Sequence, residues 1–360
     1  MKTWSAIIGS GSYIPEQRIV NEYFLRHEFY APNGIKIDKS NEEIIQQFYK
    51  ITGIRERRYV TDDLQTSDIA SYAAEKALTA ADIDGETLDY IIVAHNFGNV
   101  RKDNRRSEFV PSLASRVKDY LNITNPSTVA YDLIFGCPGW LQGVMNTDDL
   151  IRSGKATRAL IIGAETLSRI TDPHDRDSMI YADGAGAVIL EAKTSYKPTG
   201  ILSHSAKSFT GELTYVLKMD RSNSPSYPEN DLFLKMEGRT LYENVLKNVP
   251  GVIKESIDKA GLTISDIDKF LIHQANKKMD EAILQRLFAE YGIRSSCYDS
   301  MPMTISWLGN SSVATLPTLY DLLVKDQLEN QTVKPGSILV FVSVGAGVNV
   351  NAMVYRVPGQ

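Results

Sequence analysis

Leu78-Thr79-Ala80-Ala81-Asp82-Ile83-Asp84 is closely matched in the second half of the chain by Leu262-Thr263-Ile264-Ser265-Asp266-Ile267-Asp268. Each copy ends a stretch of helical periodicity, Ser67 to Ala80 and Leu241 to Ala260. Each then runs into a short apolar strand ending in histidine, Tyr90-Ile91-Ile92-Val93-Ala94-His95 and Phe270-Leu271-Ile272-His273. A second helical stretch follows in both halves, Ser112 to Leu121 and Lys277 to Tyr291. Next comes a glycine-flanked polar element that opens a further helix, Gly136-Cys137-Pro138-Gly139 and Gly309-Asn310-Ser311-Ser312. Buried-type strands close each half: 159–163 with 185–190, and 337–342 with 349–356. Repetition of the same order of elements marks a duplicated chain, and alternating strands and helices mark an α/β fold. The halves divide near Ala192 to Thr199, where Lys, Ser and Pro replace the apolar run, giving units 1–195 and 196–360. A loop from each half is then expected to meet at a central pseudo-twofold axis.

Composition bounds the function classes. At 360 residues the chain exceeds one small core and suits two lobes. A net charge of −5, with no polybasic tract, offers nothing to nucleic acid. The only cysteines, Cys137 and Cys297, are far apart and lack ligand-like companions, which fits neither a disulfide framework nor a Cys-rich metal site. No metal is expected. No window reaches the ~18 apolar residues of a membrane span, and Met1 to Gly9 reads as a strand and turn rather than a signal peptide. A cytoplasmic location is the expectation.

Cys137 stands between a strand, Thr128 to Asp132, and a helix, Trp140 to Ser153, with Pro138 suited to the first turn. A cysteine there faces unpaired N–H groups and the positive end of the helix dipole, which favours thiolate. The plain alternative is a buried structural cysteine. His273 ends a strand in Leu271-Ile272-His273-Gln274-Ala275-Asn276. It reads either as a hydrogen-bonded core residue or as an imidazole presented to a cleft at a strand's carboxyl end. Asn310, alone, reads as a helix N-cap. His95 is the positional twin of His273 and has no chemical company, so it reads as structural.

Together these residues resemble the thiolase-like condensing enzymes, most closely the ketoacyl-acyl-carrier-protein synthase III branch. Seven stretches carry the resemblance, in order: Gly9 to Glu16, Thr52 to Arg58, the Cys137 turn, Asp172 to Arg176, Asp183 to Ala187, His273 to Asn276, and Gly309 to Ser312. It implies a thiolase-like fold of two α/β halves layered α-β-α-β-α, working as a homodimer. It implies Cys137 as the acyl-carrying nucleophile and the N–H groups of Cys137 and Ala346 as an oxyanion hole. His273 and Asn310 would stabilise the enolate of a malonyl- or β-ketoacyl thioester that attacks the acyl group. Substrates would be coenzyme A or acyl-carrier-protein thioesters, with no metal or redox cofactor. Arg176, Gly238, Tyr242 and Asn276 match tunnel-lining positions, and Lys278 keeps a positive charge near the entrance.

Departures from the family pattern concern the substrate. Gln47 and Ile51 stand where many members grip the adenine of coenzyme A with tryptophan and arginine, which favours carrier-protein donors. Val110 stands where the family sends a large aromatic across the dimer interface to floor the partner's acyl pocket, with Phe109 beside it. Room for a longer acyl group follows, as does an alternative: a specialised enzyme joining two acyl chains in aryl-lipid (dialkylresorcinol-type) or polyketide synthesis. The other classes weighed are a cysteine thioester hydrolase and an inactive partner subunit; the latter would be expected to lose the cysteine that this chain keeps.

Overall fold

The computed structural model describes residues 1–294 and 298–359; Cys297 lies outside them. The larger sheet contains β1 (Lys2–Tyr13), β2 (Tyr90–Ala94), β3 (Val129–Leu133), β4 (Arg158–Thr166) and β5 (Asp183–Ser195), in the order β1-β5-β4-β2-β3. The second contains β6 (Gly200–Ser208), β7 (Lys269–Ile272), β8 (Ile338–Gly345) and β9 (Asn349–Arg356), in the order β6-β9-β8-β7. The pairings repeat as well. β1/β5 and β5/β4 are antiparallel and β4/β2 parallel, just as β6/β9 and β9/β8 are antiparallel and β8/β7 parallel. β3 extends the first sheet beyond β2 as an edge strand.

The main helices are α1 (Asn41–Thr52), α2 (Thr66–Ala81), α3 (Leu113–Tyr120), α4 (Gly139–Arg152), α5 (Gly238–Lys259), α6 (Lys277–Glu290) and α7 (Thr315–Val324). Strand alternation sorts them into layers. On β4, Ala159 and Ile161 pack with Trp140, Val144 and Leu319 of the central helices α4 and α7, while Leu160 and Ile162 face α2 and α3. On β8, Leu339 and Phe341 join the same central core, while Val340 and Val342 face α5 and α6. The result is α2/α3, sheet, α4/α7, sheet, α5/α6. This is the five-layer thiolase-like α/β arrangement that the resemblance implies. Among the described residues no helix is long and apolar enough to cross a membrane.

A fourth apolar cluster roofs the centre. Phe24 and Phe29, from the long stretch after β1, pack with Ile44 and Phe48 of α1 and with Met179 and Ile180. The fully buried Arg57 guanidinium holds this roof, bonding Met179 O at 3.0 Å and Asn21 Oδ1 at 2.8 Å, with Phe24 across its face at 4.9 Å. The Tyr23 to Lys39 stretch therefore contributes core. The Asn99 to Glu108 stretch is a small hairpin pairing Asn99 with Glu108. Its Arg105 is tied to Arg169 O at 2.9 Å and lies over the Phe233 ring at 4.9 Å.

Candidate active site

Cys137 lies in the turn between β3 and α4, where Gly136 adopts φ 74°. Asn310 arrives from the other half. Its N–H donates to Ile180 O at 3.0 Å and its carbonyl accepts from Ala182 N at 2.8 Å, which locks the loop against the first half. Gly309, at φ 70°, is required there, since a Cβ would sit 2.7 Å from Cβ of Arg57. His273 follows β7 with its N–H on Val342 O at 2.8 Å. Gln274 holds the turn by accepting from Thr304 N at 2.9 Å and Ile305 N at 3.1 Å. All three residues line one cavity of about 480 Å³.

A hydrogen-bonded chain links them through Ser312. The Ser312 hydroxyl donates to Cys137 Sγ at 3.2 Å, and its N–H donates to Asn310 Oδ1 at 2.8 Å. That bond fixes the carbonyl end of the Asn310 amide and leaves its NH2 for the cavity. Ser312 Oγ accepts from Asn96 Nδ2 at 3.1 Å, and the same amide donates to Glu165 Oε2 at 2.7 Å. Burial pushes Glu165 up to about 7, against the opposing pull of His95 and Asn96. His273 Nδ1 lies 2.6 Å from Thr315 Oγ1. Burial lowers His273 to about 4, so its imidazole is neutral at pH 7.

The surroundings of the sulfur oppose the expected thiolate. Burial pushes the Cys137 thiol up to about 11; the Ser312 donor opposes this and Glu165 adds to it. Burial therefore works against the thiolate that the helix terminus favours, and a nearby proton acceptor would assist the sulfur's attack.

The two loops expected to supply oxyanion donors touch. A Cβ on Gly345 would lie 2.5 Å from Cys137 N, and one on Gly136 would lie 2.9 Å from Ala346 N. Arg176, Gly238, Tyr242 and Asn276 line the same cavity, as does Ala346. Asn276 also caps α6, its Oδ1 accepting from Met279 N at 2.8 Å. Lys278 does not line the cavity: it is exposed in the first turn of α6, and Asn276, Ala275 and Met279 face inward instead. Phe109 and Val110 also lie off the cavity of their own chain, 43% and 89% exposed. Gln47 and Ile51 do line it, beside Phe48. His95 is buried, accepting from Gly98 N at 3.0 Å with Nε2 2.9 Å from Asp132 Oδ2. Asn96, Glu165 and Thr315 escaped the sequence reading, because only the fold brings them to Ser312 and His273.

Two family models match the chain. 3-Oxoacyl-[acyl-carrier-protein (ACP)] synthase III covers residues 131–208, and the C-terminal model of the same synthase covers 257–357. A beta-ketoacyl-[acyl-carrier-protein] synthase III of Erythrobacter litoralis is 33% identical over 356 residues, 98% of this chain and 99% of its own. One from Bradyrhizobium sp. is 31% identical over 347 residues, 95% and 96% of the two chains. The chain belongs to the 3-oxoacyl-[acyl-carrier-protein] synthase III family. The 3-oxoacyl-[acyl-carrier-protein] synthase III of Aquifex aeolicus matches with a TM-score of 0.79 and 27% identity, over 98% of this chain and 99% of that one. As a member of this synthase III family, the protein is a condensing acyltransferase.

Proposed function

We propose that Cys137 accepts an acyl group from a thioester and passes it to the carbanion of a malonyl- or β-ketoacyl thioester. Convergence of Cys137, His273 and Asn310 on one apolar cavity carries this reading. In the first stage the sulfur attacks the acyl carbonyl, the developing oxyanion is held by the N–H groups of Cys137 and Ala346, and the donor thiol leaves. In the second stage the Asn310 NH2 and a His273 N–H donate to the thioester carbonyl of the incoming substrate. They stabilise the enolate formed by decarboxylation or deprotonation, which then attacks acyl-Cys137. A hydrolase would need a base oriented toward water in the deacylation step, whereas His273 beside the Asn310 amide in one cavity suits two donors to an enolate oxygen. No metal or redox group is needed for these steps.

Carrier-protein thioesters are the favoured donors. Gln47 and Ile51 supply neither a stacking face nor a guanidinium for adenine, whereas Arg176 and Arg239 stand at the cavity with side chains 56% and 92% exposed, toward an acidic carrier. The enzyme works as a cytoplasmic homodimer through its open β3 edge, which carries the exposed Val129 and is followed by the exposed Ile134, with the exposed Phe109 and Val110 reaching the partner. A Val110 side chain entering the partner's pocket leaves room for an acyl chain longer than acetyl.

Intact-mass analysis tests the reading. Incubation with acyl-carrier-protein or acyl-coenzyme A thioesters of graded length should give an acyl adduct that Cys137→Ala abolishes. A carbon–carbon product should form only when a malonyl or β-ketoacyl thioester is added. Free acid released without a second substrate would instead establish the hydrolase, and absence of any adduct would refute the reading.

A further inference from the structure

We infer that Thr315 is a positioning residue that decides which nitrogen of His273 carries the proton, and so whether the imidazole can accept a proton from Cys137 or donate one to the second thioester. The inference rests on the proposed roles of Cys137 and His273. Its basis is a count of hydrogens. Thr315 Oγ1 lies 2.6 Å from His273 Nδ1 and 2.8 Å from Ser312 O. The hydroxyl has one proton and two neighbours able to take it. The carbonyl can only accept, so when the proton points to Ser312 O, Oγ1 must accept from His273, and the proton sits on Nδ1. Nε2 then offers a lone pair to the cavity. When the hydroxyl turns toward Nδ1, that nitrogen accepts and Nε2 carries the hydrogen.

The separations of 2.8 Å to Ser312 O and 2.6 Å to Nδ1 accommodate both arrangements. The first belongs to the acyl-free enzyme, where it suits acylation. The Cys137 S–H proton passes to Nε2 as the sulfur forms its bond to the acyl carbon. The bond from that carbon to the leaving sulfur then breaks, and the Nε2 proton passes to the departing thiolate. His273 returns to its starting form. Condensation needs the second arrangement. One proton leaves Nδ1 and one arrives at Nε2, exchanged with water, as the Thr315 hydroxyl turns from Ser312 O to Nδ1. Nε2–H can then donate to the incoming thioester carbonyl. A neutral imidazole is what makes the choice matter, because a protonated ring would hold hydrogens on both nitrogens. The same residue that supplies the Thr315 acceptor also supplies the hydroxyl on Cys137 Sγ, so the switch and the nucleophile share one hub.

The test separates the half-reactions in Thr315→Val and Thr315→Ser. Valine keeps the shape and removes the hydroxyl, so an Nδ1–H would have no acceptor and the Nε2–H form is favoured. Acylation of Thr315→Val, followed by quench and intact mass, should fall about 10²-fold at neutral pH, the scale of general-base catalysis. Condensation by enzyme acylated beforehand through long incubation should stay within about threefold. Thr315→Ser should restore acylation. Nitrogen-15 spectra of histidine-labelled wild-type enzyme, assigned by loss of one signal in His273→Ala, should show Nδ1 protonated in the acyl-free state. An Nε2–H signal in that state overturns the proposal, whether or not the valine variant folds. Equal loss of both half-reactions, or of neither, overturns it too. Wild-type enzyme that never acylates refutes the roles of Cys137 and His273 instead.

Discussion

Ser312 reaches across 175 positions of chain to place its hydroxyl 3.2 Å from Cys137 Sγ, and it does so from a left-handed backbone at φ 53°. A non-glycine residue held in that region at a reactive centre marks a position fixed by its surroundings. Here the surroundings are Asn310 on its N–H, Asn96 on its hydroxyl and Thr315 on its carbonyl.

Ser312→Gly is the informative substitution, because glycine accepts the same φ and keeps both backbone bonds. Only the hydroxyl is lost. That hydroxyl lowers the Cys137 thiol against burial, so its removal should raise the thiol further. Alkylation by iodoacetamide at pH 8 should slow roughly tenfold, the equivalent of one charge-assisted hydrogen bond of about 1.4 kcal/mol. An unchanged rate would show that the Sγ contact has no part in tuning the thiol.

Close approach of the loops around Gly345 and Cys137 gives a second prediction. A Cβ at 345 would meet Cys137 N at 2.5 Å, Pro138 Cδ at 2.7 Å and Cys137 Cβ at 2.9 Å. None of these is the end of a flexible side chain, so the nucleophile's turn must shift. Gly345→Ala should reduce acylation by about 10² or more, the scale of losing an oxyanion donor. Gly251→Ala is the control, since a Cβ there meets nothing within 4 Å. It lies inside α5, and alanine should stabilise the protein by about 0.5–1 kcal/mol with normal acylation. Equal acylation by the two variants would refute the steric argument.

The duplication and the seven motif stretches were legible because they are local: a turn, a strand end or a glycine-flanked loop is written in neighbouring residues. The five layers came from the resemblance rather than from periodicity, because strands such as β4 and β8 are buried on both faces and read as continuous apolar runs. What stayed hidden depends on convergence. Glu165 lies on β4, Asn96 just beyond β2 and Thr315 at the start of α7, and no spacing in the sequence announces that Asn96 and Thr315 meet at Ser312 with Glu165 behind Asn96. The opposition to a thiolate was hidden as well, because a helix terminus is a local feature while desolvation comes from the whole fold. Helix phase sets the place of Lys278: Asn276 caps α6 and Met279 turns inward to the cavity, while 278 between them faces solvent.

The open edge of β3 predicts an effect on assembly. Val129 is 49% and Ile134 60% exposed along this edge, a poor surface to leave in water. Ile134→Glu should convert a dimer to monomer in sedimentation velocity at micromolar concentration, with condensation lost in parallel if the partner completes the acyl pocket. A wild-type chain that sediments as a monomer would remove the premise.

Glu165 makes stability depend on pH in a direction opposite to that of an ordinary salt-bridged carboxylate. Its folded value is about 7 against the usual 4.5, because burial penalises the charge. Between those values the folded chain holds a proton that the unfolded chain has released, so stability falls as pH rises through the window and the loss is complete above about 7. His273, at about 4 against 6.5, works the other way: the unfolded chain protonates first as pH falls, and stability drops with it. Comparing wild type with Glu165→Gln cancels the histidine and leaves the carboxyl alone, and the glutamine carbonyl can still accept from Asn96. Between pH 5.5 and 7.5 the wild type should lose about 2 kcal/mol more unfolding free energy than the variant, read from urea titrations at both pH values. Parallel pH profiles for the two proteins would mean that Glu165 is already ionised at pH 5.5, and that the bonds from Asn96 outweigh its burial.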